Sequence, residues 1–120
     1  DGVQDGTFQA NITLTAGLPA GIGHWDAADP ANGWGAWHDG TNAHLVKLLS
    51  STWTEVIDAA ATYSAGASIQ VIRNGAAFQL WYDGSQVGTT QTISGLPALK
   101  QFGAFRPDDT CVVSGVAHQE

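Results

Sequence analysis

Hydrophobic and polar residues alternate at every second position in several parts of the chain. Phe8, Ala10, Ile12 and Leu14 are each followed by a polar residue, so one side of this segment is apolar and the other is polar. A two-residue period is typical of a β-strand with one buried face. Segments of similar, strand-forming composition recur, and we predict further strands at 35–38, 43–48, 53–57, 68–73, 77–82, 87–92, 101–106 and 110–117.

Turn-forming residues separate these segments. The pairs Asn74-Gly75 and Asp83-Gly84 are typical of tight hairpin turns, and the sequence Asp-Gly-Thr-Asn at 39–42 predicts another hairpin. Glycine and proline predict loops at 17–23 and 26–33, and further breaks at 95–97 and 106–109. Many short strands joined by such turns predict an all-β fold, a two-sheet antiparallel β-sandwich or a barrel.

One segment is compatible with either a helix or a strand. Thr52 and Glu55 have the spacing of a capping box, which would open a short helix. Trp53, Val56 and Ile57 are strand-forming residues, and a helix here would be only about two turns long. We therefore favour a strand at 53–57, followed by an irregular alanine-rich link to Gly66.

Two parts of the sequence resemble the concanavalin A-like lectin/glucanase superfamily. Residues 71–75 followed by 78–84 resemble the signature hairpin of laminin-G-like domains, and residues 34–47 are similar to the paired strands of the same superfamily. These pieces follow one another in the superfamily's order from about residue 7 to residue 117. The resemblance implies a jelly-roll sandwich, in which residues 1–120 form a single laminin-G-like module.

The superfamily includes glucanases as well as lectins, so an enzymatic role has to be considered. The resembling glucanases carry Glu-x-Asp-x-x-Glu on one strand, and this string does not occur here. The spacing of Glu55 and Asp58 predicts that they lie on opposite faces of a strand, and Glu120 is the only other glutamate. Because glycoside hydrolysis needs two carboxyl groups flanking the bond, we predict that the protein is not an enzyme.

Other chemistries have no support in the sequence. The pairs Gly21-x-Gly23 and Gly33-x-Gly35 lack the third glycine of a phosphate-binding loop. Four Lys and Arg against eleven Asp and Glu give a net charge of −7, which disfavours binding to nucleic acid. No apolar run is long enough to insert into a membrane, and no signal-peptide pattern is present. Since the sequence begins at Asp1 and contains no methionine, we expect it to be part of a longer chain or assembly.

Tryptophan is the most informative residue type, with five among 120 residues. Aromatic planes stack on the C–H faces of sugars, while neighbouring polar side chains bind the hydroxyls. Some of the tryptophans lie in or beside loops rich in polar residues, whereas Trp53 is expected in the core. On alternation, Trp34 and His38 share one strand face and Trp37 takes the other. The candidate carbohydrate-binding residues are Trp25, Trp34, Trp37, His38, Asp39, Asn42 and Trp81.

No cofactor or metal ligand set is evident. His38 and His44 span a hairpin that could bring their side chains together, but the spacing is unusual for zinc. The resemblance makes calcium the metal to consider, because similar domains often bind it through loop oxygens. Loop residues that could contribute are Asp26, Asp29, Asp39, Asn42, Asp108 and Asp109.

These observations predict a non-catalytic carbohydrate-binding or attachment module of an extracellular or phage virion protein. The alternative is a purely structural virion or fibre-assembly domain. Similar domains carry an N-terminal strand beside the C-terminal one, which here is missing or reduced to Val3 and Gln4. The partners are then a glycan or neighbouring subunits, including other copies joined through an open sheet edge. The predicted core contains Phe8, Ile12, Leu14, Leu45, Ile69, Val71, Phe78, Leu80, Phe102 and Val112.

Overall fold

A computed structural model describes residues 5–15, 18–26, 32–105 and 111–119. Within these ranges the regular structure is entirely β, and no residue is helical. Accordingly, the described residues include no helix that could cross a membrane. The strands are β1 (Gly6–Thr13), β2 (Ala20–Trp25), β3 (Gly33–His38), β4 (Asn42–Leu49), β5 (Thr52–Ala60), β6 (Ala67–Asn74), β7 (Ala77–Tyr82), β8 (Ser85–Thr92), β9 (Gln101–Phe105) and β10 (Val112–Gln119).

The strands form two antiparallel sheets of five strands each. The first sheet has the order β10-β1-β6-β7-β8, and the second sheet has the order β5-β4-β3-β2-β9. Apolar residues from both sheets meet in one core, for example Phe8 with Trp34, whose ring centroids are 5.1 Å apart. The prediction of a two-sheet antiparallel β-sandwich is confirmed. The narrower concanavalin A or laminin-G assignment stays a prediction.

The core contains most of the residues that the alternation pattern predicted. Leu14 and Phe102 pack against it but are only partly buried. Val112 is 53% exposed, so its prediction as a core residue was wrong. The alternation along β10 explains this, because its neighbours Cys111 and Val113 face inward and Val112 therefore faces outward. Predicted core residues that are fully buried are Phe8, Ile12, Leu45, Ile69, Val71, Phe78 and Leu80.

The loop predicted at 17–23 was largely wrong, because β2 begins at Ala20 and lies between β3 and β9. Ile22 and His24 face the core from this strand. Gly21 and Gly23 alternate with them and are not turn residues. Residues 16–17, 27–31 and 106–110 lie outside the described residues, and most of the loop predicted at 26–33 and the break at 106–109 fall there.

The segment at 53–57 is part of a strand, as favoured, and the alanine-rich residues after it continue β5 to Ala60. The pairing of β4 with β5 shifts register between Leu45, which faces Ile57, and Val46, which faces Glu55. Val56 is therefore an extra residue in β5, the arrangement of a β-bulge.

The strand predicted from the alternation at residues 8–14 is β1, which pairs with β10 from Thr7, opposite Gln119, to Thr13, opposite Val112. The further N-terminal strand, expected to be missing or reduced to Val3 and Gln4, concerns residues outside the described ranges and stays a prediction. β10 remains an edge strand of the first sheet.

Candidate ligand-binding groove

A groove of about 160 Å³ lies on the outer face of the second sheet. Its most prominent lining residues are aromatic: Trp25 from β2, Trp37 from β3, Trp53 from β5 and Phe105 from β9. These strands bring together residues that are up to 80 positions apart in the sequence. The groove is therefore a product of the sheet and not of a single loop.

Glycines form the floor of this groove. Gly23 lies opposite Gly35 on one side and Gly103 on the other. A Cβ atom on Gly23 would lie 3.2 Å from the Trp25 ring, and one on Gly35 would lie 3.4 Å from the Trp37 ring. The glycines thus allow the two indoles to lie close to the backbone of the sheet.

Trp25 is fixed at the end of β2. Its indole Nε1–H donates a hydrogen bond to Oε1 of Gln101, at 3.1 Å. The ring lies over Gly23 and comes near Gly103, whose Cβ, if present, would be 3.7 Å from Cη2. One face of the Trp25 indole is thus supported by the sheet. The rest of the ring forms an aromatic surface along the groove.

Trp37 is the middle member of an aromatic stack. Its ring centroid lies 4.9 Å from that of Phe105, with an interplanar angle of 28°. On the other side the His44 ring lies at 5.6 Å and 26°. Near-parallel rings at these separations attract each other beyond the effect of their burial. The indole of Trp37 is therefore held between two neighbours from β9 and β4.

His44 is hydrogen-bonded at both ring nitrogens. Nε2 lies 2.7 Å from Oδ2 of Asp39, and Nδ1 lies 2.5 Å from Oε1 of Glu55 and 3.6 Å from Oδ1 of Asp58. Partial burial of the ring opposes its charge, but the hydrogen bonds to Asp39 and Glu55 outweigh it and raise the pKa of His44. Because carboxylates only accept hydrogen bonds, this arrangement favours an imidazolium with both nitrogens protonated.

Asp39 is held by the turn between β3 and β4. Its Oδ1 accepts hydrogen bonds from the backbone N–H groups of Thr41 and Asn42, at 2.9 and 2.7 Å. Burial acts to raise the pKa of Asp39, but the hydrogen bonds from Asn42, His44 and Thr41 lower it to about 2. Asp39 is thus an anion over the ordinary pH range, and it keeps the charge of His44 compensated.

Glu55 and Asp58 lie on the same face of β5, although their spacing predicted opposite faces. The β-bulge at Val56 adds one residue between them, which returns Asp58 to the face of Glu55 and His44. Trp53 lies two residues before Glu55 and shares this outer face. The prediction that Trp53 lies in the core was wrong, because the side chain is 58% exposed.

The predicted binding residues do not all reach the groove. Trp34 is one of the groove-lining residues, but its side chain lies on the inner face of β3 and is only 2% exposed. His38 lies on the same inner face at 0% exposure and does not line the groove, while Trp37 lies on the outer face, as the alternation predicted. His38 is engaged with the backbone of Ala61 and Gly40. We therefore leave Trp34 and His38 out of the proposed site.

The remaining predicted residues lie in two places. Asn42 is close to the acidic residues beside the groove, where its Nδ2 donates to Oδ1 of Asp58 at 2.7 Å. Trp81 lies on β7 in the first sheet, and its indole donates to Oε1 of Gln79 at 3.0 Å. Trp81 therefore does not share a surface with Trp25 and Trp37.

Metal binding was considered for the side chains around His44. His44, Glu55 and Asp58 offer ligand atoms within 4.8 Å of one another. Calcium takes six to eight oxygen ligands, whereas this group is centred on an imidazole whose two nitrogens already meet carboxylates. The group does not fit calcium, and we assign it no metal. Of the predicted calcium-binding residues, Asp29, Asp108 and Asp109 lie outside the described residues.

His38 and His44, which the hairpin could have brought together, point to opposite faces of the sheet. His38 lies opposite Ala43, and Trp37 lies opposite His44, so the pairing register separates the two imidazoles. A shared metal between them is inconsistent with this register.

Sequence reasoning missed several groove residues, namely Gly23, Gly35, Trp53 and Phe105, and it did not connect His44 with the groove. The signal was present as alternating glycines at 21 and 23, at 33 and 35, and singly at 103. On sequence alone these glycines suggest loops, or a phosphate-binding loop that lacks its third glycine. In strands, alternating glycine marks a face where another group lies close to the backbone.

The chain matches no protein-family model and no curated protein sequence. It is similar in structure to two solved β-sandwich proteins. One is the carbohydrate-binding module CBM66 from Bacillus subtilis, with a TM-score of 0.78 and 18% identity over 93% of this chain and 73% of the module. The other is sheep galectin-11, solved in complex with glycerol, with a TM-score of 0.55 and 11% identity over 82% of this chain and 86% of the galectin. At these identities the similarity establishes the fold.

Proposed function

We propose that this protein is a non-catalytic module that binds carbohydrate in the groove of the second sheet. The observation that carries the proposal is the arrangement of Trp25 and Trp37 over the glycine floor. The indole of Trp25 is supported by the sheet on one side, and its other side is suited to stack on the apolar C–H face of a sugar ring. Trp37, which is stacked between Phe105 and His44, contributes to the apolar wall of the groove.

Polar groups beside the groove are suited to bind sugar hydroxyls. Glu55 and Asp58 are half-exposed, with side-chain exposures of 41% and 49%, and they follow Trp53 on the outer face of β5. Their carboxylate oxygens can accept hydrogen bonds from hydroxyl groups, which apolar walls alone cannot do. A mainly apolar site with a few polar groups at one end is typical of small-molecule binding sites.

The comparisons support the same role. One similar structure is a carbohydrate-binding module, and the other is a galectin that was solved with glycerol, a small polyol. A binding role rather than a catalytic one is favoured because Glu55 and Asp58 both contact His44 at one end of the groove. Glycoside hydrolysis needs carboxyl groups on both sides of the scissile bond.

The experiment is a glycan-array screen of the purified protein, followed by a titration with the neutral oligosaccharide that binds most strongly, here called the array probe. Trp25→Ala and Trp37→Ala are expected to weaken binding of the array probe at least tenfold. Trp81→Ala is the matched control, because it removes a partly exposed tryptophan from the other sheet. Absence of binding to every glycan of the array would overturn the proposal, as would loss of binding in the control alone.

A second candidate function is self-association through the edge of the first sheet. Val112 is 53% exposed and Val116 is 39% exposed, and both lie on the edge strand β10. An apolar edge strand is a template for pairing with another chain. Sedimentation of the protein and of Val112→Lys over a range of concentrations tests this, since only the unmodified protein should associate. The extracellular or virion setting remains a proposal that fits either function.

A further inference from the structure

The indole of Trp37 depends on a neighbour that does not line the groove. Phe105 supports one side of the ring at 4.9 Å, and His44 supports the other at 5.6 Å. Phe105 belongs to the groove wall, whereas His44 is not among the lining residues. Trp37 is therefore a route by which His44 can affect the groove.

The orientation of the His44 ring is set by charged groups from two directions. Asp39 approaches Nε2 from the turn after β3, while Glu55 and Asp58 approach Nδ1 from β5. The remaining group packed on the ring is Trp37 from β3, which has no charge. The ring is thus clamped in its own plane by carboxylates and packed face to face on the indole.

This clamp requires a proton on each ring nitrogen. A neutral imidazole has one N–H and one lone pair, so one of the two carboxylates would face the lone pair and lose its hydrogen bond. Glu55 is 41% exposed, so its carboxylate would be better solvated if the side chain turned into water. The ring would then be free to rotate, and the favourable contact of a cation with the indole face would also be lost.

We propose that His44, in its protonated form, is a positioning residue that holds Trp37 in the orientation required for glycan binding. The consequence is a groove whose affinity falls as the pH rises and His44 loses its proton. This inference rests on the proposed function, and it names a regulation of the same groove by pH.

The first test needs no ligand and uses nuclear magnetic resonance on the ¹⁵N-labelled protein. The ring resonances of His44 and the indole Nε1–H resonance of Trp37 are followed as the pH is raised. The two are expected to titrate with the same midpoint, above the 6.5 of an ordinary histidine. A Trp37 resonance that does not move when His44 titrates would overturn the inference, whatever the protein binds.

The second test measures binding of the array probe as a function of pH. The unmodified protein is expected to bind roughly fivefold more weakly once His44 is neutral, the factor that a lost cation–π contact represents. His44→Gln cannot become charged, so it should bind weakly at every pH. His44→Arg keeps a permanent planar cation that can stack on Trp37 and pair with carboxylates, so it should bind tightly across the range.

His118→Gln is the control for a histidine outside the groove, because the His118 ring stacks on Phe8, with the ring centroids 3.8 Å apart. It should keep the pH profile of the unmodified protein. A profile that is flat in the unmodified protein, or that persists in His44→Gln, overturns the inference while leaving carbohydrate binding intact. Failure of all variants and of the unmodified protein to bind any glycan overturns the proposed function instead.

Discussion

The glycine floor allows stability and binding to be separated by one substitution, Gly35→Ala. The new Cβ would lie 3.4 Å from the Trp37 ring, 3.6 Å from the Ile22 carbonyl oxygen and 3.7 Å from Cγ2 of Val46. The last two distances are ordinary van der Waals contacts, and the first needs only a small adjustment of the indole. The backbone of Gly35 is not in the left-handed region, so alanine is compatible with the strand.

Gly35→Ala is expected to raise the stability of the protein and to lower its affinity for the ligand. Replacing glycine by alanine at a compatible position reduces the entropy of the unfolded chain and stabilises a protein by about 0.4–1 kcal/mol. The methyl group also pushes the Trp37 indole, which lies over Gly35, away from the sheet and into the groove. A methylene of misfit in an apolar pocket costs about 1–3 kcal/mol of binding, or about 10- to 200-fold in affinity. Gly35→Ala should therefore be slightly more stable and should bind the array probe at least tenfold more weakly.

Urea denaturation gives the change in the free energy of unfolding, and isothermal titration calorimetry gives the change in affinity. Gln86→Ala, on the exposed part of β8 in the other sheet, is the control and should leave the affinity unchanged. Unchanged affinity of Gly35→Ala would refute the reasoning, because it would mean that no ligand lies against the Trp37 indole in the groove. A large loss of stability would refute the packing argument instead.

Other properties of the groove and the core give further predictions. Trp53→Ala should cost less stability than truncation of the fully buried Trp34, because the Trp53 side chain is 58% exposed, yet it should weaken binding of the array probe. A carboxylated version of the array probe should bind more weakly than the neutral one, because Glu55, Asp58 and the net charge of −7 repel it. The difference should shrink in about 1 M salt, where charges are screened over about 3 Å. Finally, acid should destabilise the fold through His24, by about 3 kcal/mol between pH 7 and pH 4.

The sign of the His24 effect follows from its surroundings. Burial, together with the charges of Arg73 and His118, lowers the pKa of His24 from 6.5 to about 4. The unfolded chain therefore binds a proton more readily, and the stability present above pH 6.5 is lost as the pH falls towards 4. Urea denaturation at several pH values measures this loss. His24→Phe should lose less stability over the same range, and an equal loss in both proteins would contradict the assignment.

Two further results would each contradict one of these predictions. Strong destabilisation by Trp53→Ala would mean that the indole is packed and not exposed. Equal binding of the neutral and carboxylated sugars in low salt would place the ligand away from Glu55 and Asp58.

The strand pattern was predictable from the sequence wherever burial alternates with exposure. In β1 the buried residues Phe8, Ala10 and Ile12 are apolar and the residues between them are polar, so the two-residue period is visible without a structure. In β2 it was hidden, because the outward positions are Gly21 and Gly23, which are more often found in turns. Gly23 lies under the Trp25 ring, and a Cβ atom on Gly21 would clash with the backbone of Ala36, and both contacts appear only in the folded chain.

The sequence predicted the kinds of residue in the candidate site but only some of the individual residues. The excess of tryptophan and the polar turn at Asp39 pointed towards the part of the second sheet where the groove lies. The face on which Asp58 lies depends on the β-bulge at Val56, and the exposure of Trp53 depends on β5 being an edge strand. Bulges and edges are decided by pairing between distant segments, which the local sequence does not reveal.

The five tryptophans are built-in reporters for the central claim that the groove of the second sheet binds carbohydrate. Titration of the ¹⁵N-labelled protein with the array probe follows all five indole Nε1–H resonances in one experiment. Shifts of Trp25, Trp37 and Trp53, with Trp34 and Trp81 unmoved, are the predicted result. A shift confined to Trp81, or no indole shift at a concentration where the sugar is bound, would contradict it.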